Sequence, residues 1–271
     1  MCWCLRLIVI ALLFCGGSAS AAKAQPAGPS QAQQVLESAA DAQKYTFIVF
    51  YKDNGPATGA MAQAVKRAVE MRANRATLAF VNATDPAEKA IVKRFDVSRA
   101  PMPLTVAVAP NGAMTSLMPK KVSEDEIEKA FVSPVSAHCL KSMQDGRLVF
   151  VCVQSTPQPS TPQGVSAFCA DPQFKDRAVV IPIHSGNLAE ADFLRQLEAE
   201  DPMTVFLAPP GVLVGKFGPE ATKAQLAAAL HKAGKCCDDE NCKHNQAGKH
   251  TGRPAAGASR QNAQGPGTRR K

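Results

Sequence analysis

The densest chemistry in this chain lies toward its C-terminus. Cys236, Cys237 and Cys242 fall within seven residues of one another, and His244 and His250 follow. Thiolates and imidazoles in that number can complete a tetrahedral Zn site or hold Cu(I) through soft sulfur ligands. The spacing contains no C-x2-C pair and matches no common zinc pattern. Two other fates compete. Cys236 or Cys237 can pair with Cys242 or with a more distant cysteine, or the thiols can stay open in a solvated tail. No other cofactor is expected.

Three further cysteines sit inside the body of the chain. Cys152 lies in a β-rich run and Cys169 on the apolar face of a predicted helix, where a thiol packs as a small hydrophobe. Cys139 follows His138, but adjacent side chains rarely point at one another and no third orienting group is evident. A disulfide from Cys139 to Cys152 or Cys169 stays open. No residue is assigned a catalytic role.

The N-terminus reads as an export leader over residues 1–24. Arg6 precedes an apolar run, Leu7–Phe14, and small residues follow through Ala22. That order marks a secretory signal, with cleavage after Ala22 or Ala24. The expected location is periplasmic or extracellular. Lipid anchoring at Cys15 is the weaker alternative, because Phe14 is bulky for the position before a lipidated cysteine. Removal of the leader leaves six cysteines where disulfides can persist. Residues 25–43, rich in Ala, Gln, Pro, Ser and Gly, read as a linker with one weak helix over 31–42.

The body is one pattern written twice. Pro103, Thr105-Val106, Ala109-Pro110 and Gly112 recur as Pro202, Thr204-Val205, Ala208-Pro209 and Gly211 at an offset of 99. Ser123 with Glu126 forms a capping box, repeated by Thr222 with Gln225. Upstream the offset is 102: Asp85 and Glu88 match Asn187 and Glu190 at a helix start. Each copy reads β-α-β-α-β-β-α. Strands are expected at Tyr45–Tyr51, Thr77–Val81 and Ala113–Leu117, then at Leu148–Val153, Ala178–Ile183 and Val212–Lys216, with a further strand after each of Pro103 and Pro202. The first helix of copy one carries Met61, Val65, Ala68 and Val69 on one face; copy two offers Val165, Phe168 and Cys169. Helical crossovers between strands call for a mixed sheet with helices on both faces. The expected units are 44–135 and 146–233, joined by a linker over 136–145, with a basic tail over 234–271.

This order resembles the thioredoxin-like superfamily. Phe50-Tyr51 stands where that family has Phe-Trp at the end of its first strand. Asn54-Gly55-Pro56-Ala57 stands where it has Cys-Gly-Pro-Cys, and Pro103 and Pro202 stand at its cis-proline. The resemblance implies an α/β fold of two thioredoxin-like domains in tandem. It also implies a groove for extended peptide, flanked by Asn54-Gly55-Pro56 and Met102-Pro103 in the first unit and by Pro202-Met203 in the second.

The departures bear on activity. Family chemistry needs a thiolate at a helix start and a second cysteine three residues on. Asn54 and Ala57 supply neither. Val49 stands where the family often holds a buried acid, and the matching loop of the second copy, Ser155–Pro162, has three prolines and no cysteine. The resemblance therefore implies a tandem pair that has lost its dithiol site. The expectation is binding or scaffolding of a protein or peptide partner. Thiol–disulfide or metal-handling work by the C-terminal cluster is the alternative.

Charge sharpens this reading. The chain carries +8, but +6 of it lies from Lys232 onward. The body is nearly neutral and 45% of the chain is apolar, enough for sizeable cores. Sequence-specific nucleic-acid binding is not expected. The tail lacks apolar anchors and reads as largely disordered. Its end, Arg269-Arg270-Lys271, suits contact with an anionic surface.

Overall fold

The run from Tyr45 to Tyr51 consists entirely of aromatic and β-branched residues with no charge, which suits a strand covered on both faces. In the computed structural model, which describes residues 29–156, 158 and 160–235, it forms β1 (Tyr45–Tyr51), buried from Thr46 to Phe50. The stretch expected to be an export leader, residues 1–24, and the Cys236–His250 cluster with the rest of the expected tail lie outside the described residues.

The first unit runs α1 (Gln31–Asp41), β1, α2 (Pro56–Glu70), β2 (Ala76–Asn82), a 3-10 turn at Pro86–Glu88, α3 (Lys89–Arg94), β3 (Leu104–Val108), β4 (Met114–Pro119) and α4 (Glu124–Lys129). The second repeats it: α5 (Pro134–Gln144), β5 (Leu148–Gln154), α6 (Gln163–Cys169), β6 (Ala178–His184), a 3-10 turn at Leu188–Glu190, α7 (Ala191–Gln196), β7 (Met203–Ala208), β8 (Val212–Phe217) and α8 (Lys223–Lys232). The sheets are ordered β2-β1-β3-β4 and β6-β5-β7-β8. In each, the first pair is parallel and the other two are antiparallel. This is the thioredoxin-like arrangement, present twice in tandem.

Each sheet has an apolar layer on both faces. In the first unit, Ile48 and Phe50 pack with Leu36 of α1 and Ile91 of α3. Phe47 and Val49 pack oppositely with Met61 and Val65 of α2 and Ile127 of α4. The second unit matches: Phe150 and Cys152 meet Phe168 of α6 and Leu226 of α8, and Val149 and Val151 meet Cys139 of α5 and Phe193 of α7. Both capping boxes form, at Ser123 with Glu126 and at Thr222 with Gln225.

Two boundaries differ from the sequence expectation. The weak helix expected over 31–42 forms as α1 over 31–41, but its Ala32, Leu36 and Ala39 are buried, so it is part of the first unit rather than of a linker. Residues 136–145, expected to be an inter-unit linker, belong almost wholly to α5, whose Ala137, Cys139, Ser142 and Met143 are buried. The two helices correspond at an offset of 103, each with a serine N-cap, Ser30 and Ser133. So the repeat starts a helix earlier than the sequence match reached. Small and polar buried residues hid the apolar period, while Ser133 followed by Pro134 was a legible start signal.

The units meet through α5. The Met114 N–H donates to Gln144 Oε1 at 2.9 Å, and Gln144 Nε2 donates back to the Met114 carbonyl at 2.7 Å. Ala109, Ala113 and Ala137 form a small shared apolar cluster. The Tyr45 hydroxyl donates to the Val132 carbonyl at 2.8 Å and accepts from the Val132 N–H at 3.1 Å.

Candidate functional site

β1 and β3 pair antiparallel with Phe50 opposite Leu104. The C-terminal end of one therefore meets the N-terminal end of the other. This brings the β1–α2 loop and the Met102-Pro103 segment to the same end of the sheet. Lys52 Nζ also donates to the Ser98 carbonyl at 3.4 Å, tying the two loops together. The Met102–Pro103 peptide bond is cis.

The loop itself is ordered by Asp53, whose Oδ1 accepts from the Gly55 N–H at 2.8 Å. Gly55 is the N-cap of α2 and Pro56 its first residue, and no side chain caps the helix start. Asn54, Pro56 and Ala57 are exposed, Gly55 and Met102 half-buried and Pro103 buried. The end of unit one thus presents an exposed amide side chain, an uncapped helix start and extended backbone, with no titratable nucleophile among Asn54–Ala57. On the strand behind it, Val49 lies opposite Thr105. Thr105 is fully buried, and its hydroxyl has no hydrogen-bond partner among the described residues.

The matching end of unit two is finished differently. The Asp201–Pro202 bond is cis, as is Pro209–Pro210, which the sequence reading did not single out. Asp201 takes the place of Met102. Its Oδ1 accepts from the Ser155 N–H at 3.0 Å and its Oδ2 from the Ser185 hydroxyl at 2.8 Å. Hydrogen bonds from Ser185 and then Ser155 hold this carboxyl below its ordinary range. Gln154 gathers the loop: Nε2 donates to the Ser160 carbonyl at 3.0 Å and Oε1 accepts from the Ser160 N–H at 2.8 Å. Pro202 is exposed. The clamp by Asp201 was missed from sequence. An acidic residue directly before the repeat's proline was its only signal.

Cys139, Cys152 and Cys169 are free thiols. The open disulfide from Cys139 is corrected by geometry: Cys139 packs in the α5–α7 layer, while Cys152 and Cys169 pack in the α6–α8 layer across the sheet. Burial, with Glu190 adding to it, pushes the Cys139 thiol up to about 12. Burial pushes Cys152 up to about 11, against a weak contact from the Thr204 hydroxyl at 3.8 Å. Cys169, half-buried, is raised by burial too. At neutral pH the thiolate fraction of Cys139 and Cys152 is on the order of one in ten thousand or less. His138 is exposed while Cys139 is buried, so the adjacent pair does not converge.

No family model matches the chain, and no curated protein does. Among solved structures it is similar to human ERp44 in a zinc-bound form, at 10% identity, covering 80% of this chain and 65% of that one, with a TM-score of 0.33. The first two thioredoxin domains of Saccharomyces cerevisiae Eps1p match at 11% identity, over 68% of this chain and 88% of that one, with a TM-score of 0.27. The C-terminal domain of oxidised Neisseria meningitidis DsbD matches at 22% identity, over 35% and 84%, with a TM-score of 0.27. The fold assignment rests on the strand order and pairing directions, not on these scores.

Proposed function

We propose that this tandem thioredoxin-like pair is an exported binding or scaffold protein that works without dithiol chemistry, taking a protein or peptide partner. One observation carries the reading. The sheet end that pairs the α2 start with Met102-Pro103 exposes Asn54, Pro56 and Ala57, and so offers Asn54 and Ala57 where a dithiol would have to stand. The buried, up-shifted thiols of the second unit support it, since none is a ready nucleophile. The export assignment draws on the leader alone, and contact of the basic tail with an anionic surface draws on charge alone.

The test is reduction of a protein disulfide substrate with dithiothreitol as electron source. The expected rate equals the uncatalysed one. Robust turnover that survives conversion of Cys139, Cys152 and Cys169 to Ser would move the chemistry to the tail. Robust turnover of any origin sinks the non-redox reading.

A second reading follows from the same buried thiols. If the leader is removed, any thiol or metal work falls to Cys236, Cys237 and Cys242, with His244 and His250. Metal analysis of protein purified without chelator tests it. About one equivalent of Zn or Cu, lost in Cys242→Ser, supports metal handling; less than about a tenth of an equivalent removes it.

A further inference from the structure

The two parallel edge strands, β2 and β6, have the same burial pattern but opposite finishes. The Tyr45 N–H donates to the Arg75 carbonyl at 2.9 Å, and the Ala83 N–H donates to the Tyr51 carbonyl at 2.8 Å. Along a strand the backbone groups of alternate residues face opposite neighbours. Odd positions of β2 therefore face β1, and Ala76, Leu78, Phe80 and Asn82 turn their backbone outward. The Ala76 N–H is taken by the Arg72 carbonyl and the Asn82 carbonyl by the Asp85 N–H. The N–H and C=O of Leu78 and Phe80 have no partner among the described residues, and no described strand lies outside β2.

The same bonding holds in the second unit, from the Leu148 N–H to the Arg177 carbonyl and from the Ser185 N–H to the Gln154 carbonyl. Pro182 then faces outward. It sits opposite Cys152 as Phe80 sits opposite Val49. Proline has no N–H to offer, so the β6 edge is blunted against strand addition. The β2 edge is not, and it adds an aromatic side chain that is 47% exposed, Phe80.

A groove of about 950 Å3 runs along this edge, walled by Val35 and Ser38 of α1 and Val69 of α2. Lys44 and Lys66 line it with Glu70 as the sole acid, and Glu70 pairs with Lys66 at 3.9 Å, which leaves Lys44 as the uncompensated cation. A second copy would set this cation against itself, and the chain's own residues from Lys232 onward carry the same sign, +6. The complement is a strand bearing carboxylates.

We propose that the outer edge of β2 accepts an extended segment of a partner protein by strand addition, with apolar side chains toward Leu78 and Phe80 and a carboxylate toward Lys44. This surface is independent of the sheet end at Asn54–Ala57 and Pro103.

The experiment uses the full chain and a synthetic peptide of alternating valine and glutamate, read by backbone NMR and hydrogen exchange. Protection of the Leu78 and Phe80 amides on binding is expected. Phe80→Pro should weaken binding at least about tenfold. Pro182 occupies the same place in β6, so the variant has a folded precedent. Pro182→Val should open a second site, read as new protection at Val180. A valine–lysine peptide should bind more weakly. The proposal is overturned by undiminished affinity in Phe80→Pro, by shifts at Asn54–Ala57 instead, or by no binding at about 1 mM peptide. Leu78 and Phe80 amides already protected in the free chain would also overturn it, by showing the edge covered.

Discussion

Val49 and Cys152 occupy the same place in the two central strands, and each faces a buried threonine. In the second unit the Thr204 hydroxyl has the Cys152 sulfur at 3.8 Å. In the first, the Thr105 hydroxyl faces Val49 and has no partner among the described residues. The same contrast runs outward. Asp201 fastens the loop before its proline, whereas Met102 at the matching place carries no such group. Pro182 closes an edge that Phe80 leaves open. A duplicated fold has kept its strand order while its ends and edges diverged. The difference teaches that the second unit has closed its proline loop and its parallel edge, while the first keeps an unpartnered threonine and an open β2 edge.

The largest expected effect falls on the aromatic stack of the second unit. Phe168 stacks on Phe174 with ring centroids 4.1 Å apart and meets Phe150 and Phe206 edge-on at 5.2 and 5.7 Å. Phe168→Ala should cost about 3–5 kcal/mol in urea unfolding. A loss below about 1 kcal/mol would mean that the stack does not hold this unit together.

Two helix glycines give opposite signs. A Cβ at Gly164 would lie 1.8 Å from the Ala221 carbonyl oxygen, so α6 approaches the start of α8 with no room to spare. Gly164→Ala should cost about 1–3 kcal/mol or more. Gly59, in α2, has nothing within 4 Å of that position. Gly59→Ala should add about 0.5–1 kcal/mol. Equal signs in thermal melts would erase the contrast between a tight and an open first helix.

Between pH 9 and 10 the alkaline loss of stability should come from the thiols of the second unit, since the first contains no cysteine and its half-buried Tyr45 hydroxyl, raised by burial, responds only above its ordinary value of 10.0. Cys139 and Cys152 ionise near 9.0 ordinarily, and at about 12 and about 11 in the fold. Above pH 9 the unfolded chain loses these protons first, so it binds fewer than the folded chain and stability falls as pH rises. The loss should approach about 1.4 kcal/mol per pH unit per thiol between pH 9 and 11, then level off for Cys152. Cys152→Ala should flatten part of that slope; an unchanged slope would show that Cys152 is not its source.

The smallest effect concerns the threonines. Thr105→Val removes a buried hydroxyl that has no partner and should stabilise by about 1 kcal/mol. Thr204→Val removes one that has a weak partner and should gain less. The reverse order would break the comparison of the two strand centres.

Much of the fold was legible because its signals are local. Apolar runs marked β1 and β5, capping boxes marked α4 and α8, and the proline–strand–glycine pattern marked both hairpins. The helix α5 was not, because it buries Ala, Ser and Cys beside Met143 rather than a clear apolar stripe, and α1 was legible only as a weak helix within a linker. The site was legible only as a set of positions. Asn54, Gly55, Pro56, Ala57, Pro103 and Pro202 could be named, but not the Asp201 clamp, which joins residues 46 positions apart.

Sequence alone determined the duplication, the element order and the absence of cysteine from Asn54–Ala57, because residue identity and spacing carry them. Tertiary structure decided which cysteines share a layer, which threonine finds a partner and which edge strand turns a free N–H to the outside. Those follow from register and from the pairing of distant segments. A strand's outward face depends on what lies beside it, and no single stretch of sequence states its neighbour.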